Sequence, residues 1–182
     1  MNYYGAKDLA DGFRTVRKNT IIIAEEIGEE HYGFRATPET RTVAQTLTHI
    51  VVVPQLSEHI HGKRIANLDG FDFFGFFAPL MAQEQSPGTK AQIVSPLRGS
   101  GDRVGNWIES LSDDFLGEAV AMPTRMTPAS KTRFEMLLGI KEHEMHHRGQ
   151  LMLMERLIGI VPHLTREFQA RMAAMQSTKA TA

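Results

Sequence analysis

The chain has 182 residues, 42% hydrophobic and 23% charged, the composition of one soluble globular domain with a real core. Twenty basic residues against 21 acidic ones give a net charge near zero, which argues against nucleic acid as the primary partner. There is no cysteine, so disulfides, thiolate nucleophiles, iron–sulfur clusters and cysteine-type zinc sites are excluded, and any metal must be held by His, Asp, Glu or water.

Four long segments carry helical period and none carries strand alternation. The first runs from about Ala6 to Ile27, with Gly28 as its stop and a loop over 31–37. The second is predicted from Pro38 to Ile60, started by Thr37-Pro38-Glu39 and kinked at Pro54, which has no N–H for the carbonyl of Ile50. Residues 61–88, rich in Phe and Gly, read as a long connection. The third helix is predicted from Thr89 to Leu116, interrupted near Pro96 and Gly99-Ser-Gly101, with Ser112-Asp-Asp114 placed unfavourably near its end. After a loop with Pro123 and Pro128, the fourth helix runs to about Ile158 and is ended by Gly159 and Pro162. A shorter amphipathic helix is expected over 165–175. Together these segments predict one all-α, four-helix-bundle domain over residues 1–176, with a frayed tail over 177–182.

The N-terminal Met1-Asn-Tyr-Tyr-Gly-Ala-Lys-Asp8 lacks the apolar region of a signal peptide, and the most apolar stretch, Phe71 to Ala82, is too short to span a bilayer. These features predict a cytoplasmic protein without membrane contact.

His143 and His147 stand four residues apart in the fourth helix, so their imidazoles project to one side, a turn apart. At about 100° per residue they share an arc with Met136, Ile140, Leu151, Met154 and Ile158, and His146 lies at its edge. Buried imidazoles need partners for their ring nitrogens, and one shared divalent ion satisfies both. The plainer reading makes them polar core residues, and spacing alone leaves the two readings about even. His49, on an arc with Val53, Leu56 and Ile60 of the second helix, is the candidate third ligand. Three imidazoles leave a coordination position open, as catalytic sites do. His31, His59, His61 and His163 read as surface or loop residues.

Thr46-Leu-Thr-His49-Ile, together with His143-Glu-Met-His-His147-Arg-Gly-Gln-Leu151, resembles the DinB superfamily (DinB/YfiT-like metalloenzymes) in length, helix order and histidine placement over most of the chain. The resemblance implies an up-up-down-down four-helix bundle, usually dimeric, holding zinc, nickel or a similar ion on residues matching His49, His143 and His147. It further implies a small-molecule substrate, since some relatives transfer or isomerise with low-molecular-weight thiols. The family name reflects damage-inducible expression, a stress response, and implies no DNA binding.

Three other features bear on chemistry. Glu144, and beside it Glu142, is a candidate general base, since His143 to His147 also reads as the His-Glu-x-x-His pattern of zinc peptidases. Gln150 is a second candidate, placed to hydrogen-bond a ligand imidazole or a substrate. Phe71-Asp-Phe-Phe-Gly-Phe-Phe77 reads either as an apolar wall beside the metal or, favoured about two to one, as packing. What the DinB resemblance implies is a metal-dependent enzyme transferring a low-molecular-weight thiol, with a metal-dependent hydrolase or a non-catalytic metal-binding protein as alternatives.

Overall fold

The computed structural model describes residues 4–180. Helix α1 (Ala6–Glu26) packs along α5 (Lys90–Glu109) and α7 (Arg133–Leu157), and α2 (Val43–Val52) packs on the same two helices. Contacts therefore run in a ring, α1 to α5 to α2 to α7 and back to α1, with the apolar core inside it.

The ring's core is built in two halves. Leu9, Ala10 and Phe13 of α1, Val104 and Ile108 of α5, and Leu137 and Ile140 of α7 form one. Ile23, Ala24 and Ile27, Leu47 and Ile50 of α2, Ile93 and Leu97, and Leu151 and Met154 form the other. Between them lies a polar layer. Arg17 Nε donates to Glu144 Oε1 at 2.8 Å and its Nη2 to Oε2 at 2.8 Å, while Nη1 reaches the Leu97 carbonyl and Ser100 Oγ. Both charged side chains are buried, so each satisfies the other. Gly101 makes room for Arg17, since a Cβ there would stand 2.7 Å from Arg17 Cγ. Gly99-Ser-Gly101 and Pro96 thus lie within a continuous α5 and do not interrupt it.

Other boundaries also depart from the sequence reading. Thr37-Pro38 does not start a helix: Thr40 N–H bonds the Thr37 carbonyl at 3.1 Å, closing a four-residue turn whose second position suits proline. The helix starts after Thr42, whose hydroxyl accepts from Gln45 N–H while Gln45 Oε1 accepts from Thr42 N–H. Pro54 does more than kink: α2 ends at Val52 and a separate helix, α3 (Pro54–Gly62), begins on the proline. The 61–88 connection contains α4 (Phe73–Gln85), capped by Asp72, which accepts from Gly75 N–H. Ser112 caps a short α6 (Asp113–Gly117), so Asp113 and Asp114 sit favourably in a first turn. A small antiparallel pair, β1 (Ala119–Ala121) with β2 (Ser130–Thr132), leads into α7. The last helix, α8 (His163–Ala180), runs past Ser177 where fraying was expected, while residues 181–182 of that tail lie outside the described residues.

The α7 register is rotated relative to the expected stripe. Arg133, Leu137, Ile140, Glu144, His147, Leu151, Met154 and Glu155 are its buried residues, so the centre line passes through Glu144, and His143 is half-buried at its edge. His61 and His163, expected at the surface, are buried. His61 Nδ1 accepts from Arg133 Nη1 at 3.1 Å, and His163 Nε2 lies 3.3 Å from Asn19 Oδ1.

Glu155 of α7 is fully buried, and among the described residues neither carboxylate oxygen has a hydrogen-bond partner. Burial, then the Glu26 charge, pushes its carboxyl up to about 7. The folded value lies above the ordinary value of 4.5, so stability linked to Glu155 is complete below 4.5 and is lost as pH rises from there to 7. Glu155→Gln is therefore expected to stabilise the fold at pH 8 by about 1–3 kcal/mol and to change little at pH 4.5. Thermal unfolding of both forms at the two pH values checks this; equal shifts at both would contradict it.

Candidate metal centre

Helices α2 and α7 are neighbours in the ring, and their contact brings His49 against His143 and His147. His49 Nε2 is 3.0 Å from His143 Nε2, and His147 Nε2 is 3.1 Å from the same atom. The ligating nitrogens of all three lie within 4.8 Å of one another. The structure thus brings together the three histidines singled out in the sequence. An ion bound tetrahedrally at about 2.0–2.1 Å holds its nitrogens about 3.3 Å apart, so two of the three separations are close to that value.

The outer ring nitrogens fix which way the lone pairs point. His49 Nδ1 donates to Glu84 Oε2 at 2.7 Å. His147 Nδ1 donates to Gln150 Oε1 at 2.8 Å, and the Gln150 amide nitrogen donates to His146 Nε2 at 3.2 Å. Neutral rings protonated at Nδ1 carry a bare lone pair at Nε2. Two such lone pairs converge on His143 Nε2, which has at most one proton to offer. A cation at the convergence point satisfies all three nitrogens together, so the donor set fits a divalent transition metal. Acceptors on the far side of ligating imidazoles are the usual support of such sites.

Burial keeps the rings neutral. Desolvation first, then the neighbouring histidines and Arg41, hold His143 at about 4. Desolvation also holds His147 at about 4, against the Gln150 hydrogen bond. His49 is lowered by burial, then by Arg41, with Glu84 opposing. At neutral pH no proton has to leave before an ion can bind.

Residues 13–151 match the sequence profile of the DinB superfamily. The chain belongs to the DinB superfamily. No curated protein matches it. Among solved structures it is similar to a DinB-like protein of Bacillus subtilis, at 18% identity and a TM-score of 0.61, over 84% of this chain and 92% of that one. It is also similar to an uncharacterised protein of Clostridium difficile 630, at 14% identity and a TM-score of 0.64, over 87% and 99%. These likenesses establish a DinB-like fold.

The candidate bases fall differently from one another. Glu144 is turned to Arg17 of α1, and both its oxygens are engaged there. Glu142 is exposed. Gln150 supports His147, and His146 flanks the site as Gln150's acceptor. The sequence reading missed Glu84 and Arg41. Glu84 is buried and takes Arg41 Nε on Oε1 while it takes His49 on Oε2. The signal was present: Phe73, Phe77, Leu80 and Glu84 follow helical spacing behind the Asp72 cap.

Two cavities flank this centre, and Arg41 and Glu84 line both. One, of about 630 Å³, also has Thr46, Gln150 and Met154 in its wall. The other, of about 430 Å³, runs from His49 past Phe73, Phe74, Phe77 and Leu80. The aromatic run therefore serves both of its expected roles: Phe71 and Phe73 pack on Ile60, Leu68 and Val120, while Phe74 and Phe77 wall the cavity.

Proposed function

We propose that this DinB-superfamily protein is a metal-dependent enzyme that transfers a low-molecular-weight thiol to a small electrophilic molecule. His49, His143 and His147 would hold one divalent transition ion, zinc or nickel by the softness of the imidazole set. When bound, such an ion lowers the pKa of a thiol or water in its open position to near neutral. The observation that carries the reading is the convergence of three neutral imidazoles on one point, with the Nε2 lone pairs of His49 and His147 aimed there by Glu84 and Gln150.

This chain's own residues supply the rest. Glu84 and Gln150 hold the two rings in one tautomer. The phenylalanine-lined cavity gives the reactants an apolar wall beside His49. The thiol, its proton lost to solvent, would add through sulfur to the β-carbon of an activated alkene, the C=C π pair moving to the α-carbon, which takes a proton from solvent. Hydrolysis is less well supported, because the carboxylate best placed in sequence to activate water, Glu144, is committed to Arg17.

The test is a panel of small thiols offered with an activated alkene, beside ester and peptide substrates. Zinc- or nickel-dependent thiol consumption, absent in His143→Ala, is the expected result. Metal-dependent hydrolysis without thiol consumption would overturn the proposal.

A further inference from the structure

Arg41 carries one positive charge in the wall common to the two cavities, and only its Nε is used, on Glu84. Among the described residues Nη1 and Nη2 have no protein acceptor. Glu84 balances the Arg41 charge as its salt-bridge partner, but its two oxygens accept from Arg41 Nε and His49 Nδ1 and so leave the Nη1–Nη2 edge unfilled. Glu39, the other acid of the larger cavity, is exposed. A guanidinium edge with two free nitrogens matches the paired oxygens of a carboxylate or similar anion.

The adjoining wall is of opposite character. Helix α4 is strongly apolar, yet Leu80 and Glu84 are its buried residues, and Phe74 and Met81 stand 83% and 55% exposed at the cavity. An apolar helix left uncovered beside a cavity of ligand size marks a binding surface for an apolar group.

We infer that the site selects a small amphipathic anion, with its carboxylate or equivalent group on the Arg41 fork and its apolar part against Phe74, Phe77 and Met81. As the acceptor's chemistry, the inference rests on the proposed thiol transfer, while the binding itself needs no metal.

The experiment is calorimetric titration of metal-free protein, kept in chelator, with octanoate, 1-octanol and octylamine. Octanoate is expected to bind at least about tenfold tighter than the other two. Arg41→Gln should bring octanoate to the level of octanol and leave octanol unchanged. Arg41→Lys, which keeps Glu84 paired, should keep part of the preference. Phe77→Ala should weaken both octanoate and octanol.

Equal binding of the acid and the alcohol, or an unchanged octanoate affinity in Arg41→Gln, overturns the assignment. So does octanoate binding that appears only on zinc-loaded protein, since the ion then holds the carboxylate. Octanoate selectivity in a protein that takes up no metal supports the assignment and removes the metal-dependent reading.

Discussion

His143→Ala and His147→Ala are each expected to abolish stoichiometric metal uptake, and His146→Ala to retain it. The magnitude follows from where each group acts. Losing a partner that only orients a ligand costs about 10–100-fold in metal affinity, so Glu84→Gln, which leaves His49 less firmly aimed, is expected in that range. Losing a ligand removes a bond to the ion and exceeds the upper end of that range. His143 occupies the middle of the cluster, within 3.1 Å of both other Nε2 atoms, so its loss leaves the remaining two rings without their common neighbour. Equilibrium dialysis with elemental analysis, beside circular dichroism to establish that the variants remain folded, checks this. Unchanged metal content in either variant would count against the account.

The second large effect lies in the polar layer. Arg17→Met leaves the Glu144 carboxylate buried without its cation and is expected to destabilise the fold by about 3–5 kcal/mol. Replacing both residues with Arg17→Met and Glu144→Leu removes the uncompensated charge and should recover most of that loss, because a buried pair exchanged for apolar residues is often neutral. Urea unfolding of the two single variants and the double variant measures the coupling. Additive losses would show that Arg17 and Glu144 act independently. Metal binding in the double variant is expected to persist, since neither residue touches the three rings.

The same layer explains what was legible in the sequence. The three histidines were, because the i,i+4 spacing of His143 and His147 needs only a helix, and His49 needs only a second helix facing it. The rotation of α7 was not, because apolarity placed Met136 and His143 on the buried stripe, whereas the buried line follows the ionic partners Arg133 and Glu144. Which charged residues find a buried partner is a tertiary fact with no local periodicity. Pro54 gave a true signal of interruption. Thr37-Pro38-Glu39 gave a false one, since a turn and a helix start use the same residues and only the Thr42–Gln45 box distinguishes them. Helix α4 was hidden by Gly75 and Pro79, and with it Glu84, the residue that aims His49. The pair of three-residue strands is too short for alternation to register.

The most direct measurement is X-ray absorption fine structure on the wild-type protein loaded with one equivalent of zinc. The account predicts a first shell containing three imidazole nitrogens at about 2.0–2.1 Å and an exchangeable light atom completing it. A shell with fewer than three imidazoles, or a spectrum of hydrated zinc alone, would contradict it.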